Sequence, residues 1–520
     1  MIDVVNGYEQ YVGARLLDFF DAKAPWHRRL WCASLCLTLR EMLEAVEAQR
    51  AGVLVEATVG ALANSAQMLV GLDPAVHRDR QTLQAALKGK PRFEGLDYHV
   101  VATCESSLRE RYLARWAAAL RITPPPRQEH VARSIASHLL DVGFSSDYLH
   151  RWWRFRLVHQ EGQRSLADIV EEADVLARTA PKNFKLLAPV WSASAGSLQS
   201  SPDWLMAPQV SEWLRRNRSD PSNVRQSGGI VFEVAALDPG AAAERASEYV
   251  DALSARIAVG TRRVVGFVDK VWVEGEREPY STRGHDRGVW VRALERENQL
   301  LAVGGARGVE AAIELLSHLQ RSSPPAAVAG GWAAIEALLS EPNDRGGAAD
   351  RLAILVACSF PRADLTGLSY ALPRSDAEWR KLLDGVVENR ERCHVVAKHL
   401  SAGHPPTTSL PWSDRAAVGR VVAILKDPNS LLGRVQEHAA AAFRRLYRQR
   451  NLVLHWGKTN AVALRTSLRT AAPLVGAGMD RVIHAAYVDG ISPLELVARA
   501  RVSLASIGPR TSNHCVDLLQ

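Results

Sequence analysis

The stretch LLGRVQEHAAAAFRRLYRQRNLVLHWG, residues 431–457, predicts a long helix near the C-terminal end of the chain. Its apolar residues recur at intervals of three, four and seven, the spacing that places side chains on one face of a helix. The members of this stripe are Val435, Ala439, Phe443, Leu446 and Val453. Gly457 follows at a position where helices commonly end in a left-handed residue. We therefore expect a helix from about 431 to 456 with one face in a core.

Three polar residues near the end of this helix suggest chemistry. Arg450 falls in the middle of the apolar stripe, where a guanidinium is costly unless it is paired or points into a cavity. His455 lies five residues later, about 140° around an ideal helix, and the last turn before Gly457 can tighten or unwind to bring the imidazole towards the arginine. Asn451 is adjacent. A titratable base, a fixed cation and an amide suit phosphodiester chemistry.

An alternative interpretation is purely structural. Arg450 would then cap the C-terminus of the helix, and His455 would merely interact favourably with the helix dipole. An arginine followed five positions later by histidine also occurs at Arg133–His138 and Arg154–His159. Arg133 is followed by Ser134 and Arg154 by Phe155, so neither pair has an amide directly after the arginine, and neither is followed by an aromatic–glycine helix stop. The run at 450–457 has both, which distinguishes it from chance matches of so short a motif.

The run LYRQRNLVLHWG resembles the Arg-Asn-x-x-x-His signature of the HEPN superfamily, with the preceding tyrosine and trailing glycine of its bacterial defence-associated members. Upstream, GWAAIEALLSEPNDRGGAADRLAILVA is similar to the first helix of such domains. The resemblance covers residues 327–520 and differs at Trp456, where glycine is more usual.

The resemblance implies a metal-independent endoribonuclease in which the RNA 2′-hydroxyl attacks its own phosphate, leaving a 2′,3′-cyclic phosphate and a 5′-hydroxyl. It implies that His455 is the acid or base, that Arg450 stabilises the charge on the phosphorane, and that Asn451 orients the phosphate. Tyr447 would help to line the site. Glu336, on the first helix of the domain, could pair with Arg450 and so explain a cation on an apolar stripe.

The resemblance also implies an assembly and a cellular role. HEPN domains usually pair with their motifs facing each other, so we expect a homodimer or a higher even oligomer. The substrate would be RNA, with no cofactor and no metal. The expected role is a toxin in antiviral defence or abortive infection, restrained by its N-terminal region and released by a phage- or stress-derived trigger. The alternatives are a non-catalytic HEPN-like module that binds RNA or protein, and a helical sensor scaffold.

The pattern along the chain predicts a mainly α, multidomain protein with a small α+β subdomain in the middle and a C-terminal HEPN-like helical bundle. TPPPRQE, residues 123–129, breaks the first helical region, and SSPPAAVAGG, residues 322–331, is the best candidate linker. Three runs predict strands around one helix: GGIVFEVAAL, TRRVVGFVDKVWVEG and RGVWVRAL. The predicted divisions are helical regions at 1–122 and 127–225, the α+β subdomain at 226–321 and the HEPN-like domain at 327–520.

The composition of the chain indicates its class of partner and its compartment. The net charge is +8, and only ten of the 64 basic side chains are lysine. Arginine matches phosphate oxygens, which favours a nucleic-acid partner, although a GC-rich genome would give the same bias. Six scattered cysteines without a Cys-x-x-Cys motif indicate a reducing cytoplasm. We expect neither a signal peptide nor a membrane span.

Overall fold

The computed structural model of the protein describes residues 7–159, 164–192, 201–261, 264–282, 287–304, 307–342, 344, 346–404, 410–508 and 514–519. Within these residues the chain is mainly helical, with one small antiparallel sheet. The structure thus confirms the predicted fold class, a mainly α multidomain protein that contains an α+β unit.

The N-terminal part of the chain consists of eight helices among the described residues. Their bounds are α1 Tyr8–Phe20, α2 Leu35–Arg50, α3 Glu56–Leu72, α4 Arg80–Lys88, α5 Leu96–Leu120, α6 Gln128–Val142, α7 Ser146–His159 and α8 Leu166–Ala177. Helix α2 begins at a favourable cap, because the Ser34 hydroxyl accepts a hydrogen bond from the Leu37 amide. The predicted break at 123–129 is confirmed in its position, since residues 121–127 separate α5 from α6.

The α+β unit is a six-stranded antiparallel sheet with helices beside it. Its elements are β1 Lys182–Ser192, β2 Trp204–Met206, α9 Ala207–Arg216, β3 Gly228–Ala236, α10 Pro239–Thr261, β4 Gly266–Phe267, β5 Lys270–Val273, β6 Tyr280–Ser281 and α11 Ala293–Arg296. The strand order is β2-β3-β1-β5-β6, and β4 also pairs with β1. The central strand β1 places Leu186, Leu187 and Val190 in the apolar layers under the helices.

Two sequence expectations about this unit are wrong. Residues 182–192 were predicted to belong to the second helical region, but they form the central strand β1. Five consecutive residues of β1 are buried, so the strand lacks the alternation that marks a half-exposed strand. RGVWVRAL was predicted as a strand, but its described residues run without strand pairing into α11.

The C-terminal part is again helical. Its elements are α12 Arg307–Arg321, α13 Pro324–Leu339, α14 Ala348–Ser375, α15 Ala377–Leu383, α16 Asn389–Ser401, α17 Trp412–Lys426, α18 Pro428–Trp456, α19 Leu464–His484 and α20 Pro493–Ser506. The predicted linker at 322–331 is wrong, because most of it is the start of α13. Proline is compatible with a first helical turn, whose amides have no partner within the helix. Pro324 is the first residue of α13.

One large hydrophobic core includes residues from both ends of the chain, from Val12 in α1 to Leu518 near the C-terminus. Helices α13, α14 and α19 pack around α18, and α1 packs against α17. Helix α14 is long and apolar enough to cross a membrane by length and composition, but 72% of its most apolar window is buried inside the protein. Such burial fits the core helix of a soluble protein.

A buried ionic contact joins the N-terminal helices to α18. The Glu41 carboxylate on α2 accepts hydrogen bonds from Arg445 Nε at 2.9 Å and from Arg448 Nη2 at 2.8 Å. All three side chains are buried. Burial alone would raise the pKa of Glu41, but the two guanidiniums hold it below its ordinary value. This contact fixes the position of α18 relative to the N-terminal helices.

A second contact reinforces the first one turn along α2. Glu44 lies 2.9 Å from Lys458 Nζ and accepts a hydrogen bond from the Val462 amide at 3.2 Å. Lys458 directly follows the glycine that ends α18, so α2 spans the last turns of that helix and the segment after it. Glu41 and Glu44 of α2 therefore anchor the C-terminal end of α18 at two points.

We expect Glu41→Gln to destabilise the protein by about 3–5 kcal/mol, because the isosteric amide leaves two buried guanidiniums without a counter-charge. Thermal unfolding followed by circular dichroism would measure the change. Glu56→Gln is the matched control, since Glu56 is 72% exposed and only 3.4 Å from Lys90 Nζ. An exposed pair contributes about 0–1 kcal/mol. Equal midpoints for the two variants would contradict the prediction.

Candidate functional site

Helix α18 begins and ends at well-defined caps. The Asp427 side chain accepts a hydrogen bond from the Ser430 amide, and Pro428 occupies the first position of the helix. At the other end Gly457 has φ 67°, in the left-handed region. The Gly457 amide donates to the Val453 carbonyl at 3.2 Å, and the Lys458 amide donates to the Leu452 carbonyl at 3.1 Å. The helix thus ends at one fixed residue, directly after the predicted motif.

The structure brings the three predicted motif residues together. Nη1 of Arg450 lies 2.9 Å from Nε2 of His455 and donates a hydrogen bond to Oδ1 of Asn451 at 2.9 Å. The contact forms without the tightening or unwinding of the last turn that the sequence allowed for, because α18 remains α-helical to Trp456. Five residues rise about 7.5 Å along the helix axis, a span that the long arginine side chain covers.

The Arg450–His455 contact has a defined direction. A guanidinium has only donors, so Nε2 of His455 is the acceptor in this contact. Arg450 uses the same Nη1 atom for His455 and for Asn451. Its remaining donors are therefore available for an incoming oxyanion.

The three side chains differ in their access to solvent. His455 is exposed, Arg450 is half-buried and Asn451 is buried. The neighbouring Leu454 is 52% exposed, which is unusual for a large apolar side chain at the end of a core helix. The open end of α18 therefore presents a base and a cation beside an apolar side chain, while the amide that holds the cation is sheltered.

Tyr447 and Glu336 make no hydrogen bond or ion pair with the motif residues in the described part of the chain. The ring of Tyr447 packs against Trp332 of α13, with centroids 4.8 Å apart. It makes no hydrogen bond to the motif within the described residues. Glu336 is half-buried on α13 and forms no ion pair with Arg450 in the described part of the chain. The expected Glu336–Arg450 pair is therefore wrong. Arg450 is half-exposed, so solvent and its two polar neighbours satisfy the cation.

The buried guanidiniums on α18 are those of Arg445 and Arg448, which sequence reasoning missed. They lie three residues apart, so both face α2. That spacing was a usable signal, but their partner Glu41 is 404 residues from Arg445. A single sequence does not indicate which distant acid is paired with them. Because they fix α18 through Glu41, they are positioning residues for the motif.

The histidines and cysteine at 393–404 do not form a metal site. Cys393 is buried, and His394 contacts Asp517 at 3.1 Å. His399 and His404 contact each other as rings. No group of three or more metal-binding side chains converges anywhere among the described residues. All six cysteines are free thiols.

Comparisons with protein-family models, with curated proteins and with solved structures found no match to this chain. The geometry of the site and its sequence context are therefore the basis for a functional proposal.

Substitution of two glycines in α18 should change stability in opposite directions. Gly457→Ala should destabilise the protein by about 1–2 kcal/mol, because only glycine adopts a positive φ readily. Gly433→Ala, in the interior of the helix, should stabilise it by up to about 1 kcal/mol. Neither added methyl group would meet another atom within 4 Å. Thermal melting of both variants tests this, and a change of the same sign in both would contradict the assigned end of the helix.

Proposed function

We propose that this protein is a metal-independent endoribonuclease of the HEPN type. The observation that carries the proposal is the 2.9 Å contact between Arg450 Nη1 and His455 Nε2 at the open end of α18. Because the half-buried guanidinium of Arg450 and the exposed imidazole of His455 are in contact, both can act on a single phosphate. The Arg-Asn-x-x-x-His order of these residues, which resembles the HEPN signature, supports the same assignment.

The proposed reaction begins with an exchange of partners. A phosphate oxygen of the RNA accepts hydrogen bonds from the Arg450 guanidinium, which binds oxyanions more strongly than neutral acceptors. Arg450 then releases Nε2 of His455. The freed nitrogen takes the proton from the 2′-hydroxyl, and the O2′–P bond begins to form. Binding of substrate thus activates the base in this scheme.

The remaining steps complete the transfer. Arg450 donates to the oxygens of the phosphorane as negative charge builds on them, which is where a pre-placed donor lowers the barrier. The P–O5′ bond breaks, and the 5′ oxygen takes a proton from an imidazolium. Asn451 holds the guanidinium in place through its Oδ1 atom. The products are a 2′,3′-cyclic phosphate and a 5′-hydroxyl.

A single imidazole cannot accept and donate a proton at the same moment, which favours a paired site. We propose that two copies of the chain associate through the open ends of α18, so that the His455 of a second copy protonates the leaving oxygen. The exposed Leu454 side chain, adjacent to His455, would supply an apolar contact at this interface. The resulting assembly is a homodimer or a higher even oligomer.

The proposed cellular role is a toxin that acts in antiviral defence or a stress response. In this proposal the enzyme is cytoplasmic, its N-terminal helices restrain it, and a phage- or stress-derived trigger releases it. The buried bridge from Glu41 to Arg445 and Arg448 connects the N-terminal helices directly to the helix that carries the motif, so it is a contact through which such a restraint would act.

Incubation of the purified protein with total RNA in EDTA should give cleavage with 2′,3′-cyclic phosphate ends, identified by mass spectrometry. We expect His455→Ala to slow cleavage by about 10²–10⁴-fold, the contribution of a general acid or base. Arg450→Ala should slow it by about 10²–10³-fold through loss of a charge-stabilising donor.

Arg444→Ala is the matched control for these variants. Arg444 is an exposed arginine on the same helix that pairs with Asp350 rather than with the motif. Its replacement should leave the rate unchanged. Intact RNA with retained RNA binding would support a non-catalytic module instead. Equal cleavage by wild type and His455→Ala would overturn the proposal.

Replacement of Leu454 should separate the two proposed copies. An aspartate at this position would place two like charges close together at the interface, so Leu454→Asp should shift the protein to monomer in sedimentation experiments and reduce cleavage. Leu494→Asp is a suitable control, since Leu494 is an exposed leucine on the separate helix α20. A wild-type protein that sediments as a monomer yet cleaves RNA would contradict the paired site.

A further inference from the structure

A cleft of about 1110 Å³ lies where three parts of the chain meet. Its walls come from the segment 23–29, the segment 288–296 after the sheet, and the helices α14 and α19. The motif residues do not line it. Small-molecule sites usually have volumes of roughly 300–1,000 Å³, so this cleft has room for a ligand of at least nucleotide size.

The cleft is strongly basic. Nine of its lining side chains are lysine or arginine, whereas two are aspartate. Arg28, Arg296, Arg390 and Arg481 each lie within 4 Å of a carboxylate. Four other cations that line the cleft have no ion pair within the described residues: Lys23, Arg292, Arg362 and Arg374. A concave surface with such an excess of positive charge concentrates anions.

Arg362 is the most enclosed of these four cations. Its guanidinium is half-buried, and it donates two hydrogen bonds to the backbone carbonyl of Val516 at 2.9 and 2.6 Å. Burial lowers the pKa of Arg362, and the neighbouring charges of Arg481 and Arg390 lower it further. An anion in the cleft would offset the repulsion among these three cations.

Aromatic rings lie beside the cations. Trp290 is 60% exposed, and the Arg292 guanidinium sits over its ring at 4.4 Å. Tyr370, in α14, also lines the cleft and is 48% exposed. Large flat rings that remain open to solvent in a cleft offer stacking surfaces for a nucleobase, which contributes roughly 1–3 kcal/mol per base where it has been measured.

We propose that this cleft binds a phosphorylated nucleotide. Its phosphates contact Arg362, Arg292 and Arg374, and its base stacks on the ring of Trp290. The assignment stands on the cleft alone and does not depend on the ribonuclease proposal. A nucleotide bound there touches the N-terminal segment, the α+β unit and the C-terminal helices at once, so it stabilises their arrangement.

The test is isothermal titration of the full-length protein with three probes at one ionic strength: ATP, adenosine and inorganic triphosphate. ATP should bind most tightly. The double variant Arg292→Gln/Arg374→Gln should weaken ATP binding by at least roughly tenfold, the contribution of one charged hydrogen bond. Both side chains are exposed, so the variant should keep its thermal midpoint. Arg501→Gln, an exposed arginine on α20, is the control and should bind ATP as wild type does.

A second variant separates a nucleotide site from a simple phosphate site. Trp290→Ala should weaken binding of ATP by a larger factor than binding of inorganic triphosphate, because the ring both stacks on the base and supports Arg292. Failure of ATP to bind, or equal binding by wild type and the double variant, would overturn the proposal. Displacement of ATP by a short RNA without phosphorylated ends would also overturn it, because the cleft would then be a groove for RNA.

Discussion

The carboxylate of Glu41 between Arg445 and Arg448 is the constraint on which the arrangement of the molecule depends. Three charged groups lie out of water, and each is tolerable only while the other two remain beside it. Separation of α2 from α18 would leave an unpaired charge in an apolar environment on both sides. The free-energy cost of breaking this contact is therefore larger than that of breaking an exposed ion pair. The N-terminal helices thus help to hold α18 in position.

That support explains why the motif can be both rigid and open. Helices α13, α14 and α19 surround α18 along its length, whereas α2 holds its last turns through Glu41 and Glu44. The side chains of Leu454 and His455 in the final turn are exposed. Groups that stabilise a transition state act best when they need no reorganisation, and a helix held by neighbours up to its last turn would meet that condition in the proposed enzyme. The same clamp means that any movement of α2 would alter the surroundings of Arg450 and His455.

The sequence predicted those features that depend on local spacing. The helix predicted at 431–456 and its glycine end follow from periodicity and from the position of Gly457, and the structure gives the helix as Pro428–Trp456. The proximity of Arg450 to His455 was expected from a change in the last turn, whereas the structure reaches it through the long arginine side chain. Features that depend on distant pairing were missed. The strand at 182–192 is buried on both faces and has no alternation to reveal it, and Glu41 lies too far along the chain to be assigned to Arg445. The pair Glu336–Arg450 was inferred from one apolar stripe, but a helix with neighbours on several sides has more than one buried face.

The same two helices connect the basic cleft to the motif: α14 and α19 both line the cleft and both pack against α18, which carries the motif. A ligand can shift an equilibrium only by the difference between its affinities for two arrangements. A ligand that bridges the segment 23–29 to α14 and α19 contacts elements from both ends of the chain, so its affinity must change if those elements separate. Since Glu41 connects the same N-terminal region to α18, such a separation would also change the clamp on the motif. Coupling between cleft and motif then needs only one movement, that of the N-terminal helices relative to the C-terminal bundle, and it would act in both directions.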